Sequence, residues 1–151
     1  MMERTLVLLK PDAVQRRLIG EIISRIEKIC LKLVGVKMIL IDKELAHKHY
    51  SAHVGKPFFE SLVDFITSSP VVAIVFEGDN AVDQVRSMMG VTNPAEAEPG
   101  TIRGDLASSI EFNLIHGSDS IESAENEVKL FFSAGELMDY SLDVDKWIIE
   151  S

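Results

Sequence analysis

The chain of 151 residues carries 15 Lys+Arg against 24 Asp+Glu, a formal net charge of −9, and is 46% hydrophobic. That composition is too apolar for intrinsic disorder, the length suits one compact domain, and the acidic balance speaks against a general nucleic-acid binder. No apolar run approaches a membrane span, no secretory leader is visible, and the single cysteine, Cys30, excludes an intramolecular disulfide, so a cytoplasmic location is expected.

Thr5 to Leu9 is a β-branched and aliphatic run closed by Lys10-Pro11-Asp12, and predicts a buried strand. Asp12 and Gln15 have the spacing of a capping box on a short helical turn. From Ile19 to Leu33 the apolar residues recur at helical spacing, Gly35 punctuates, and Val36 to Ile41 reads as a second strand. Two helices are expected over 44–53 and 57–67, the second with a stripe of Phe58, Leu62, Phe65 and Ile66. Val71 to Phe76 is a third strand, and Asn80 to Met89 an amphipathic helix. Residues 90–100, with two prolines and two glycines, form an ordered loop of functional interest. Ile110 to Ile115 is a fourth strand, and Asp119 with Glu122 has capping-box spacing for a helix reaching Phe132. The remaining segment lacks periodicity. With no repeats and no linker, residues 1–151 read as one α/β domain, in which a doubly wound sheet and a split βαβ sheet both fit.

Charge is unevenly distributed. Residues 1–75 hold 11 basic and 8 acidic side chains, whereas residues 76–151 hold 4 and 16. The four cations of the acidic half are Arg86, Arg103, Lys129 and Lys146. Such isolated cations serve as ion-pair partners unless a motif assigns them an anionic ligand.

The densest chemistry lies in Asn113-Leu114-Ile115-His116-Gly117-Ser118-Asp119-Ser120. A strand would deliver His116 to the N-terminus of the next helix, where backbone N–H groups attract anions. On that helix the apolar stripe is Ile121, Ala124, Val128 and Phe131, and Glu127 falls about 60° from Ala124, at the stripe's edge. Glu122 and Glu125 point further towards solvent. A neutral imidazole is a competent nucleophile once an acceptor fixes its tautomer, and Glu127 or the backbone could do so. Ser118 beside His116 does not make a hydrolase, because G-x-S-x-G is absent. His49 and His53 stand at i, i+4, but without H-E-x-x-H spacing they read as exposed helix histidines, as does His47.

Asn113-x-x-His-Gly-Ser-Asp-Ser resembles the active-site signature of nucleoside diphosphate kinases. The resemblance extends through Thr5-to-Gln15, His49-Tyr50-x-x-His53, Gly55-Lys56-Pro57-Phe58-Phe59, Glu77-Gly78-x-Asn80-Ala81-Val82, Gly90-x-Thr92-Asn93-Pro94 and Pro99-to-Asp105, ending at Trp147-Ile148. It implies a ferredoxin-like βαββαβ sandwich, an antiparallel sheet covered by helices. It also implies γ-phosphate transfer from a nucleoside triphosphate to a nucleoside diphosphate by a ping-pong route through phosphorylated His116, with Mg²⁺ and little base specificity. By matching motif, Lys10 and Asn113 would lie at the sugar, Lys10 also at the γ-phosphate. Arg86, Thr92 and Arg103 would hold phosphates, and Tyr50 would sit close to His116. Phe58 would stack on the base with Leu62 and Ile110 lining the slot. Glu127 and Ser118 would support the imidazole, and Asp119 would lie near Mg²⁺. A homo-oligomer is implied, hexamer favoured over tetramer, with no membrane or nucleic-acid partner. Glu111-Phe112 stand where many members carry Gly-Arg, outside the catalytic set.

Overall fold

The computed structural model describes residues 2–150. Strand β1, Met2–Leu9, opens the chain, and helices α1, Pro11–Gln15, and α2, Ile19–Glu27, follow it. Strand β2, Lys32–Ile39, leads into α3, Lys43–His49, a 3₁₀ turn at Ser51–His53, and α4, Phe59–Ile66. Strand β3, Val71–Asp79, is followed by α5, Ala81–Met89, and α6, Ile102–Leu106. Strand β4, Ile115–Gly117, leads into α7, Ile121–Phe131, a 3₁₀ turn at Ala134–Glu136, and the short α8, Asp145–Ile148. The sheet order is β2-β3-β1-β4 with every pair antiparallel. This is the ferredoxin-like α+β arrangement.

The unbroken apolar runs of β1 and β3 are explained by burial on both faces. Val7, Leu9, Ile74 and Phe76 pack towards α2 and α5, in a core with Ile22, Ile26, Val85 and Met89. Leu6, Leu8, Ala73 and Val75 face the other way, against Ala46, Phe59, Val63, Val128 and Phe131 from α3, α4 and α7. At roughly 1.5–3 kcal/mol for each large apolar side chain removed from water, these two layers hold β1 and β3 as the rigid centre. β4 is hydrogen-bonded directly to that centre.

Four expectations change. The helix expected to reach Leu33 ends at Glu27, because Cys30 adopts φ +70° and Lys32 and Leu33 pair with Glu77 and Phe76 as strand. Gly35 therefore lies inside β2, at a register shift, where a Cβ would come within 2.9 Å of Leu137. The strand expected over 110–115 is confined to Ile115–Gly117, since Leu114 takes φ +74° and breaks the extended run. Neither capping box forms. Lys10 is the N-cap of α1 without a side-chain bond, and Ser120, not Asp119, caps α7 by accepting the Ser123 N–H at 3.0 Å. The loop also runs into a helix not expected from periodicity: the Thr101 hydroxyl accepts the Gly104 N–H and starts α6.

Candidate functional site

β4 carries His116 opposite Leu8 of β1, so the imidazole is mounted beside the fully buried half of that central strand. The residue before this strand is fixed as well. Leu114 donates its N–H to Asp12 Oδ2 at 3.1 Å, and its carbonyl accepts the Lys10 N–H at 2.9 Å. A leucine in the left-handed region costs on the order of 1–3 kcal/mol, and these two bonds and its full burial hold it there. The Asp12 carboxyl is raised above its ordinary pKa, chiefly by burial, with the Leu114 N–H opposing.

The His116 ring faces α7. Its Nε2 lies 3.0 and 3.2 Å from the two Glu127 carboxylate oxygens. Fully buried Ser118 donates its hydroxyl to Glu127 Oε1 at 2.6 Å. Burial alone would raise the Glu127 pKa, but hydrogen bonds from His116 and Ser118 outweigh it and hold the carboxyl below the ordinary range. An ionised carboxylate only accepts, so His116 Nε2 must carry the ring proton and Nδ1 is left with the lone pair. Glu127 thus sits against the imidazole, at the edge of α7's apolar stripe. Of that stripe, Ile121 is exposed while Ala124, Val128 and Phe131 are buried.

His49 departs from expectation. Its side chain is 2% exposed, not solvated. The ring packs edge-on against His116 with centroids 4.7 Å apart and also touches Tyr50 and Phe131. Its Nδ1 stands 3.9 Å from Glu127 Oε2, too far for a hydrogen bond, and among the described residues it has no hydrogen-bond partner. Burial, reinforced by His116, pushes the His49 pKa down to about 3, so it is neutral at pH 7. Its only sequence signal was the apolar spacing from Leu45 and Ala46, which sets the inner face of α3. Tyr50 ends the same helix, with its phenol pushed up to about 12 by burial and by Glu127.

The cations form a linked group. Lys10 Nζ donates to Asn113 Oδ1 at 2.8 Å, and Asn113 Nδ2 donates to the Thr92 carbonyl at 3.3 Å. Buried Arg103 donates to the backbone carbonyls of Asn113, Gly90 and Ile115 at 3.2, 3.1 and 2.5 Å. It thereby ties the residues flanking His116 to the loop after α5. Arg86 donates to the Gly117 carbonyl at 3.2 Å. Burial first, and Arg103 second, lower the Lys10 pKa to about 8, and burial with Arg86 lowers that of Arg103 to about 10. Cations that depress one another's charge favour a polyanion, which relieves the repulsion. Arg86, His116 and exposed Asp119 share with His49, Tyr50 and Glu127 a cavity of about 430 Å³.

Phe58, Leu62 and Ile110 lie outside this hydrogen-bonded group. Phe58 precedes α4 with 46% exposure, its ring 5.4 Å from that of His53, and Leu62 is half-buried one turn on. Ile110 is 57% exposed in the turn before Asn113. An edge-to-face contact of Phe65 with Phe112, 5.4 Å between centroids, brings that turn beside α4.

The family model described as "Nucleoside diphosphate kinase" matches residues 3–137. A curated nucleoside diphosphate kinase from Pelotomaculum thermopropionicum is 61% identical over 149 residues, covering 99% of this chain and 100% of its own. One from Staphylococcus epidermidis is 59% identical with the same coverage. Among solved structures, the halophilic nucleoside diphosphate kinase of Halobacterium salinarum in complex with CDP superposes with a TM-score of 0.96 at 52% identity, over 99% of this chain and 100% of that one. The Aquifex aeolicus nucleoside diphosphate kinase gives 0.89 at 38% identity, over 91% and 100%.

Proposed function

The chain belongs to the nucleoside diphosphate kinase family, and we propose that it moves a γ-phosphoryl group between nucleotides in two half-reactions, with His116 Nδ1 as the intermediate acceptor. The observation that carries this is the pair of short contacts from His116 Nε2 to an ionised Glu127, which leaves the lone pair on Nδ1. In the first half-reaction the Nδ1–P bond forms as the bond from Pγ to the bridging oxygen breaks, and the nucleoside diphosphate leaves with that oxygen's electrons. In the second, a β-phosphate oxygen of another nucleoside diphosphate attacks the phosphorus, the O–P bond forms as Nδ1–P breaks, and the electron pair returns to Nδ1. The imidazole gains positive charge as it attacks, and Glu127, held by Ser118, stabilises that charge through the Nε2–H it already accepts from.

Phosphoryl transfer depends mainly on positioning and charge neutralisation. Arg86, Arg103 and Thr92 would hold the phosphates, with Lys10 and Asn113 at the sugar and Lys10 also reaching the γ-phosphate. Tyr50 would flank the imidazole. The base would lie between Phe58 and the aliphatic side chains of Leu62 and Ile110, a slot of carbon surface that reads no base edge. The CDP complex of the Halobacterium salinarum relative supports a nucleoside diphosphate as ligand here.

Mg²⁺ prefers waters and phosphate oxygens with one or two carboxylates. The cavity beside His116 offers one exposed carboxylate, Asp119, and the Arg86 guanidinium on the same cavity suits the nucleotide's own phosphates, so the donor set fits a nucleotide-borne Mg²⁺. When bound, the ion would neutralise phosphate charge.

We further read residues 1–151 as one kinase domain acting in the cytoplasm as a homo-oligomer, hexamer favoured over tetramer. The edge strand β2 supports assembly: Val36 and Met38 are 49% and 58% exposed on it, and Leu40 beyond it 67%. Among the described residues no helix is long and apolar enough to cross a membrane. The test of the chemistry is intact-mass measurement after a nucleoside triphosphate and Mg²⁺ are added without acceptor. One acid-labile phosphoryl group is expected, absent in His116→Ala; an unmodified wild-type chain that turns over would refute the covalent route.

A further inference from the structure

We propose that His49, His116 and Glu127 form a second metal site, selective for Zn²⁺ and similar late first-row divalent cations, whose occupation switches off phosphoryl transfer. The site is distinct from any nucleotide-borne Mg²⁺ in ligands and chemistry. Among the described residues these three bring one donor atom each to within 4.8 Å of one another. His116 Nε2 and Glu127 Oε1 are 3.0 Å apart, and His49 Nδ1 and Glu127 Oε2 are 3.9 Å apart. A tetrahedral ion with bonds of about 2.0–2.1 Å spaces its donors by about 3.3–3.4 Å, so the His116–Glu127 edge must open slightly and the His49 edges, none longer than 4.8 Å, must close.

A second observation points to a ligand independently. His49 Nδ1 is buried and among the described residues has no hydrogen-bond partner, although its ring is packed on three sides by Tyr50, His116 and Phe131. A buried polar atom left unpaired costs about 1–3 kcal/mol, which coordination would remove. The Ser118 hydroxyl holds Glu127 in place, the type of outer-shell bond that orients metal ligands. Two imidazoles and one carboxylate favour zinc, nickel or copper over Mg²⁺, which prefers six oxygens.

The consequence for transfer rests on the phosphohistidine reading above. A metal takes the lone pair of His116 Nε2, so the ring's single proton must sit on Nδ1. No proton leaves the imidazole, yet the atom that would attack phosphorus has lost its free pair. Zinc therefore displaces the hydrogen bond from His116 Nε2–H to Glu127 and holds His116 in the tautomer whose Nδ1 cannot attack.

The test is calorimetric titration of Zn²⁺ into the metal-free full chain without nucleotide, in buffer containing excess Mg²⁺. One zinc per chain is expected, weakened at least about tenfold in His49→Gln and in Glu127→Gln and unchanged in His47→Gln, which removes an exposed imidazole of the same helix. Substitution of Co²⁺ in the wild type should give the intense visible absorption of a four-coordinate site, a readout that does not depend on a variant folding. Undiminished zinc affinity in His49→Gln, loss in His47→Gln, or an octahedral cobalt spectrum would overturn the site. Free zinc, set with a metal buffer, should inhibit turnover with the same midpoint as binding. Zinc bound at full occupancy with turnover unaffected would overturn the switch while leaving the site. Because binding is read without nucleotide, a missing zinc site leaves the phosphohistidine proposal standing, and a missing phosphohistidine leaves the binding result standing.

Discussion

The two walls of the candidate site are built differently. The wall built around β4, α6 and α7 holds its supporting polar side chains buried and hydrogen-bonded: Ser118 is 0% exposed, Asn113 3% and Arg103 5%. Each of these fixes a neighbour, Ser118 the Glu127 carboxylate, Asn113 the Lys10 ammonium, and Arg103 three backbone carbonyls. The wall made by the turn before α4 offers an exposed aromatic face at Phe58 and carbon at Leu62 and Ile110. A reacting atom must be placed within a few tenths of an ångström, and saturated networks achieve that. A base needs only a flat apolar surface if it is not to be identified. On the proposed function, the contrast would separate chemistry, which is over-determined, from base contact, which is left permissive.

Substitutions in the first wall should therefore change rate steeply, and those in the second should change binding mildly. The largest effect is expected for His116→Ala, a loss of about 10⁴-fold or more in kcat with nucleotide affinity kept within a few-fold, measured by steady-state transfer and equilibrium dialysis. If turnover survived, the rigid wall would be scaffolding without a nucleophile. Glu127→Gln keeps the shape but removes the charge that stabilises Nε2–H, and should lower kcat about 10–100-fold with little change in KM. Glu122→Gln, on the solvent side of α7, should leave kcat unchanged; equal effects would erase the distinction between the helix faces.

Lys10 gives the next effect, and its sign follows from burial. Its pKa in the folded protein is lowered to about 8, so above that pH the free enzyme loses the ammonium that Asn113 holds. kcat/KM should fall with rising pH from about 8, approaching tenfold per unit if the charge is required. For stability the sign is opposite. Between about pH 8 and the unfolded value near 10.4 the unfolded chain binds more protons, so stability rises with pH across that window. In Lys10→Arg the fall in kcat/KM should move to higher pH, read from pH–rate profiles of the two proteins.

How far the sequence foretold this arrangement depended on which force decides each element. Glu127 was legible because helical geometry alone puts position 127 at the edge of the stripe through Ala124 and Val128, and α7 is regular there. His49 was not legible. Whether a helix histidine is solvated or buried depends on what packs against α3, and the ring that does so, His116, is 67 residues away in sequence. Strands β1 and β3 were placed by their continuous apolar runs, but β2 was misplaced because Gly35 reads as a break locally and its close approach to Leu137 is a tertiary fact. Asp12 looked like a cap and instead holds the Leu114 N–H, again a contact across about a hundred residues. Short-range chemistry was readable; partners chosen by the fold were not.

The smallest expected effect lies on the open wall and tests its permissiveness most sharply. Phe58 is 46% exposed and would be the one aromatic face the base meets, so the contribution belongs at the low end of the ~1–3 kcal/mol that a base–aromatic contact supplies. Phe58→Ala should therefore raise KM about five- to tenfold with kcat nearly unchanged. The decisive feature is uniformity, because a ring face interacts with every base through its π surface and has no donor or acceptor to discriminate edges. Measured with adenine, guanine, cytosine and uracil nucleotides, the four KM ratios should agree within about threefold, larger purines losing somewhat more. A substitution that weakened one base by a hundredfold and spared the rest would mean that the open wall reads identity, through groups such as His53 or Lys56 that stand beside the ring. A loss confined to kcat would mean that Phe58 positions the phosphates through the nucleotide, joining the two walls into one catalytic unit.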